Sequence, residues 1–270
     1  MQNNWFDPTL IALGPIEIRW YGLMYVMGFV IGGWILARLQ KSGFWPLSQE
    51  KIDQYVTALI IGMFIGARTA YVFIYNWDYY SVHLDEALHV WKGGLSFHGA
   101  VFGMSIATYL FARKNKLHFF QIADCMAVAG TPGLLCGRLG NFINGELYGR
   151  VTDSPLGIVF PGAGPYPRHA SQLYEGLLEG IILFAFMFWL HKRERIYGIV
   201  SSWFLVGYGT FRFIVEFFRE PDAQLGYYLG FFTMGQILCF IMILLSVVLY
   251  LWAKKANVPN PLFAQKPLST

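Results

Sequence analysis

Charge is what this sequence has least of. Asp, Glu, Lys and Arg make up 13% of its 270 residues, against 56% hydrophobic, and mean hydropathy is +0.44. A soluble globule of this size needs far more polar surface, so the chain reads as a membrane protein. Cysteine is scarce too: Cys125, Cys136 and Cys239 are odd in number, scattered through apolar segments and free of C-x-x-C spacing. A disulfide framework and a zinc site are thereby excluded, and the three read as small buried hydrophobes. G-x-x-x-x-G-K-[ST], H-E-x-x-H and G-x-S-x-G are all missing, and no cysteine lies near the polar residues described below. An ATP-driven pump, a zinc protease of that type, a nucleophile-elbow hydrolase and a covalent cysteine enzyme lose support. Neither a metal nor a cofactor is expected. The first nineteen residues contain Asp7 and Glu17 and lack a basic region followed by a short apolar one, so no cleaved signal peptide is expected. The net charge of +4 is dispersed between apolar segments, without the patch that nucleic acid requires.

What is present is apolar length. Residues 231 to 252, FFTMGQILCFIMILLSVVLYLW, reach roughly 33 Å as a helix and cross a hydrocarbon core of about 30 Å. Apolar runs predict about seven spans, near residues 20–38, 54–75, 95–112, 121–142, 171–190, 198–218 and 231–252. Loops after the first, third, fifth and seventh carry Arg38 and Lys41; Arg113, Lys114 and Lys116; Lys192, Arg193 and Arg195; Lys254 and Lys255. The positive-inside rule makes these loops cytoplasmic, with the N-terminus outside and the C-terminus inside. The expected fold is an all-α integral membrane protein, one polytopic domain over 1–270. Residues 143–170, rich in Gly and Pro, form a small external head between spans four and five.

Lysines follow that rule, Lys266 among them, with Lys92 alone outside. Arginines do not: Arg68, Arg138, Arg150, Arg168, Arg212 and Arg219 fall in outward halves of spans or in external loops. Lysine suffices for topology, whereas a planar fork that binds phosphate or carboxylate bidentately is arginine's property. The outer face therefore reads as built to hold an anion. Arg68 and Asp124 are expected to be structural partners.

Spans of alternating direction bring polar groups to one depth. Tyr21, His98 and Glu175 begin inward spans, Arg138 and Asn141 end an outward one, and Tyr208, Arg212 and Glu216 occupy the outer half of another. The last three repeat every four residues and share a helix face. Ionisable groups inside a bilayer are costly, about 2.5–3.5 kcal/mol each on insertion scales, and point to function. An Arg212–Glu216 pair that merely neutralises itself is the plainer reading, and convergence with Arg138 speaks against it. His98, between Gly94 and Gly99, is either a packing residue or a general base, because imidazole titrates near neutrality. At the start of span five, Ser171 is expected to cap a helix that carries Glu175 and Glu179 on one face. Tyr21 reads first as part of an interfacial aromatic belt. In GRLGNFINGELYGR, residues 137–150, glycines and amides end a helix beside Arg138.

These segments carry a resemblance. GRLGNFINGELYG, with WYGLMY, GGLSFHGA, RHASQLYE and YGTFRFIVEFFREPD in order along the chain, closely resembles the bacterial prolipoprotein diacylglyceryl transferases. Ala100 and Ala170 stand where that family commonly has Gly and Pro. The resemblance implies a seven-span, N-out enzyme of the inner membrane, with its active site toward the outer leaflet. It implies transfer of the sn-1,2-diacylglyceryl group from phosphatidylglycerol to the lipobox cysteine of a prolipoprotein, giving a thioether. Positions critical to the family fall on Tyr21, His98, Arg138, Asn141, Glu146, Gly149, Tyr208, Arg212 and Glu216. In this reading Arg138 and Arg212 hold phosphate, Glu216 orients Arg212, Asn141 and Tyr21 bond headgroup oxygens, Tyr208 supports the face, and His98 is base or positioning group. Glu146 and Gly149 shape the turn that presents the arginine. The alternative is a transporter or flippase for an anionic lipid, in which the same arginines bind without chemistry.

Overall fold

Apolar stretches that cannot satisfy their backbone in lipid must close their hydrogen bonds internally, and helix is the local solution. The structure, a computed structural model, describes residues 5–13, 16–89, 93–194, 196–220 and 232–259. Lys92, Arg195, Lys266 and the first residue of the last expected span lie outside them. The helices are α1 (Trp20–Lys41), α2 (Gln49–Tyr75), α3 (Phe97–Lys114), α4 (Phe119–Ala129), α5 (Thr131–Asn144), α6 (Ser171–Leu190), α7 (Ile199–Val215) and α8 (Met234–Ala256). α1, α2, α6 and α8 are long and apolar enough to cross a membrane. α4 and α5 add a fifth if taken together, bent by 44° at a break where Pro132 opens α5. α7 is apolar but shorter. Helix occupies each predicted apolar run, and four or five of these helices pass as spans by length and composition.

Helix ends follow their sequence. Ser96 accepts the Gly99 N–H at 3.1 Å to start α3, and Arg113 and Lys114 close its last turn. Thr233 and Gln236 form a reciprocal capping box on α8, which ends in Lys254 and Lys255. The helical architecture carries one short β element, at the start of the chain, where β1 (Thr9–Leu13) and β2 (Ile16–Arg19) pair antiparallel with Leu13 opposite Ile16. The run is too short to span, and its β-branched Thr9, Ile11, Ile16 and Ile18 suit a pleated pair.

The chain divides into two units, Leu39–Ala123 and the remainder. Within the first, α2 and α3 press together through G-x-x-x-G on both: Gly66 lies against Gly99 and Gly103 against Gly62, so closely that a methyl at any of them would strike the facing backbone. Arg68, buried at the end of this pair, gathers the loop that follows. Its Nε donates to the Ala87 carbonyl (2.7 Å), Nη1 to those of Gly93 (2.8 Å) and Gly94 (3.0 Å), and Nη2 to that of Glu86 (3.0 Å) and to the Tyr80 hydroxyl (3.2 Å). All five guanidinium donors are engaged.

In the other unit, α7 packs on α8, and Gly176 and Gly180 of α6 lie against Leu135 of α5. Asp124 acts as a cap in trans at the start of α7. Its carboxylate accepts the N–H of Gly198 (2.9 Å) and of Ser201 (2.8 Å), and the Ser201 hydroxyl (2.6 Å). The three cysteines are buried and free.

Candidate functional site

The block GRLGNFINGELYGR runs from α5 into a loop held by backbone. α5 ends where Gly145 takes a positive φ of 68°. Beyond it, Gly149 N–H donates to the His169 carbonyl (2.8 Å), His169 N–H to that of Arg150 (3.0 Å) and Arg150 N–H to that of Phe218 (2.9 Å). Gly149 is wedged there: a Cβ would fall 2.7 Å from the Cβ of His169 and against the Phe218 carbonyl. Arg168 buttresses the loop, donating to the Gly149 carbonyl (3.1 Å) and pairing with Glu220 (3.0 Å). Arg150 donates to the Arg219 carbonyl (2.8 Å).

Ser171 does not cap α6. Ala170 is the N-cap residue, with no side-chain cap bond, and the Ser171 hydroxyl donates instead to the Leu147 carbonyl (3.0 Å). Gln172 donates to the Glu146 carbonyl (2.7 Å). A helix start that must tie down the 145–150 loop spends its polar side chains outward on that loop. The φ of Ala170, −78°, is one that proline adopts.

Beneath this loop α5, α6 and α7 bring their charges to one point, the carboxylate of Glu175. Arg138 Nη2 lies 2.6 Å from its Oε2, while Arg212 Nη1 and Arg219 Nη1 lie 3.2 and 3.6 Å from its Oε1. Glu175 is 0% exposed, whereas the side chains of Arg138, Arg212 and Arg219 keep 20%, 15% and 13% of their surface open. These are contacts of charge rather than alignment: neither Glu175 oxygen makes a well-formed hydrogen bond. Arg212 Nη2 reaches Glu216 Oε2 at 2.9 Å, and the other Glu216 oxygen accepts the Thr233 hydroxyl at 2.9 Å. Arg138 Nη1 reaches Asn141 Oδ1 at 3.4 Å, and Asn141 Nδ2 donates to Glu146 (2.9 Å), as does Asn144 (3.3 Å). Burial and the neighbouring Arg212 hold the Arg219 guanidinium below its ordinary pKa, Glu175 opposing them.

Of the expected residues, Arg138, Asn141, Glu146, Arg212 and Glu216 form this connected network. Tyr21 lies against Gly140, and its hydroxyl meets that of Tyr25 at 3.2 Å. Tyr208 stacks on Phe204, one turn before Arg212. His98 belongs to the other unit, exposed at the start of α3, with Nδ1 3.1 Å from the Tyr75 hydroxyl. Glu179 and Thr233 were not expected in the site, and Glu175 and Arg219, although read at the outer face, were given no role in it. Glu175 carried a readable signal, since it enters its span at the depth of Arg138, but a capping assignment absorbed it. Thr233 carried none, because its reach to Glu216 depends on how α8 packs.

A family model described as prolipoprotein diacylglyceryl transferase matches residues 8–252. The chain belongs to that family. It is 48% identical over 255 residues to a protein of Vibrio parahaemolyticus named phosphatidylglycerol–prolipoprotein diacylglyceryl transferase, covering 93% of this chain and 92% of that one. Proteins of the same name from Geobacter sulfurreducens (47% over 258 residues; 96% and 99%) and Oleidesulfovibrio alaskensis (49% over 254; 93% and 94%) are similar along nearly their whole length. In this transferase, the arginine cluster on Glu175 is the feature for which membrane insertion alone gives no reason.

Proposed function

We propose that this transferase moves the sn-1,2-diacylglyceryl group of phosphatidylglycerol to the thiol of a lipobox cysteine in a prolipoprotein. It does so from the inner membrane of a bacterium, crossing it about seven times with the N-terminus outside. The basic residues that close α1, α3, α6 and α8 support that orientation. It sets the arginine cluster and the 143–170 head on the outer side. The observation that carries the function is the set of three arginines converging from α5, α7 and the turn after α7 with open edges, held by charge contacts that an incoming anion can replace.

The chemistry is displacement at carbon. The thiol loses its proton, sulfur bonds to the glyceryl methylene, and the carbon–oxygen bond to phosphate breaks with its electron pair on oxygen. A thioether and glycerol phosphate result. The phosphodiester carries one negative charge and the leaving monoester approaches two, so donors fixed around it stabilise departure more than binding. Arg138 and Arg212 hold the phosphate, and Glu216, fixed by Thr233, orients Arg212. Asn141 and Tyr21 bond headgroup oxygens, and Tyr208 supports the face. Glu146 and Gly149 shape the loop, and His98 is kept as a base or a positioning group.

The test is incubation of the purified protein with phosphatidylglycerol and a lipobox peptide. A peptide mass gain of one diacylglyceryl unit is expected, absent when serine replaces cysteine. Lipid movement across a vesicle without adduct would make the protein a lipid transporter instead. His98→Gln that kept most activity across neutral pH would remove histidine from proton transfer.

A further inference from the structure

Glu179 lies one turn beyond Glu175 on α6, within a π-helical stretch, Gly176–Ile182, that begins directly after Glu175. Such widened turns are rare and recur at functional sites. Glu179 is 0% exposed, and neither of its oxygens has a hydrogen-bond partner among the described residues. Its charged neighbours are Glu175, Arg138, Arg212 and Arg219, and Tyr208 lies within its field. The assignments above leave this carboxyl without a task. An ionised, unpaired carboxylate in such a place is penalised by its lost solvation, and two neighbouring carboxylates do not both stay charged once their cations turn away. The three arginines pair with Glu175 and, among the described residues, with neither oxygen of Glu179, so a proton shared by the two carboxyls has its resting place on Glu179.

We propose that Glu179 and Glu175 form a relay that receives the proton lost by the thiol, and that docking of phosphate switches it on. The proposal rests on the transfer reaction above. At rest, three arginines face the carboxylates of Glu175 and Glu216, a net charge of plus one, which one phosphodiester neutralises. Phosphate draws Arg138, Arg212 and Arg219 from Glu175. Glu175 then takes the proton of Glu179: one O–H bond breaks and one forms. Glu179, now ionised, takes the proton of the thiol as sulfur bonds to the methylene and the carbon–oxygen bond opens. At the end both carboxyls are neutral, Glu216 carries one negative charge and the monoester two, against three arginines. The charges of the three arginines, Glu175, Glu179, Glu216 and the phosphate sum to zero before and after, and a low-dielectric interior favours a transfer that leaves that sum unchanged.

Depth agrees with this order. In the proposed topology α6 runs inward, so Glu179 is about 5 Å, one helical turn, deeper than Glu175. A lipid whose phosphate sits at the arginines carries its acyl-bearing glycerol on that deeper side. The thiol must lose its proton at that level, and the base appears only after the lipid has bound.

The test compares cysteine and selenocysteine in the same lipobox peptide, with the purified full-length protein in phosphatidylglycerol vesicles. A selenol is ionised at neutral pH and needs no base. Glu179→Gln should slow transfer to cysteine by ~10²-fold or more, with the lipid KM unchanged, and transfer to selenocysteine should proceed close to the unaltered rate. Equal losses on the two peptides, or no loss on cysteine, overturn the relay. If Glu179→Gln does not fold, Glu179→Asp keeps the acid on a shorter stem. A loss confined to cysteine supports the relay there, and a loss shared by both peptides overturns it. Unaltered protein that yields no adduct removes the transfer reaction and the relay with it, whereas normal adduct formation with an indifferent Glu179→Gln removes the relay alone.

Discussion

Arg68 and the arginines around Glu175 are the same residue type, largely buried, put to opposite uses. Arg68 spends every donor on its own loop, four on backbone carbonyls and one on a tyrosine hydroxyl. Its charge is dispersed into the dipoles of its own loop, and an anion could capture it only by breaking those five hydrogen bonds. Arg138 and Arg212 instead meet carboxylates, with the Nε of each unengaged among the described residues and an edge left open. A carboxylate is a stand-in for phosphate in charge and in fork geometry. Burial of an arginine is therefore no measure of function; the chemistry of what occupies its donors is.

Removing the guanidinium on the two sides should separate activity from stability. Arg138→Ala and Arg212→Ala should each lower diacylglyceryl transfer by roughly 10²–10³-fold or more, with a melting temperature in detergent near that of the unaltered protein. Near-normal activity in both would end the assignment of these arginines to the anion. Arg68→Met should do the reverse. It strands part-buried acceptors and costs about 3 kcal/mol or more, seen as early thermal unfolding, while the folded fraction keeps its kcat. A catalytic defect without loss of stability would erase the distinction.

Smaller effects test the frame around the cluster. Gly149→Ala should cost about 2 kcal/mol, because the Phe218 carbonyl and His169 must move, and should lower activity by displacing Glu146. Ala170→Pro should stabilise by about 0.5 kcal/mol, since the φ already fits and the residue's N–H makes no hydrogen bond among the described residues. Both are read from thermal melts, and a destabilised Ala170→Pro would mean that the start of α6 is strained.

The legible part of the site was the part written within single segments. Arg212 and Glu216 are four apart on one helix and pair as that spacing requires. Arg138, Asn141 and Glu146 fall within nine residues and link in a chain. Glu175 was visible as a polar group at the right depth, but its place as the common partner of three arginines required α5, α6 and α7 to meet. Ser171 misled because a serine at a helix start reads as a cap, and only the docked 145–150 loop shows where its hydroxyl goes. The strand pair at residues 9–13 and 16–19 escaped because its run is short and the period of its neighbours is helical.

Composition and local order determined the membrane class, the positions of the helices, the helix ends at which lysines gather, and the presence of arginines away from those ends. Those follow from hydropathy and spacing, which act residue by residue. Which helices touch, which arginine is consumed by its own loop and which three are left facing one buried carboxylate were decided by tertiary packing. In lipid an apolar residue that faces a neighbouring helix and one that faces acyl chains read alike, so a sequence records that a charge is buried without recording what it is buried against.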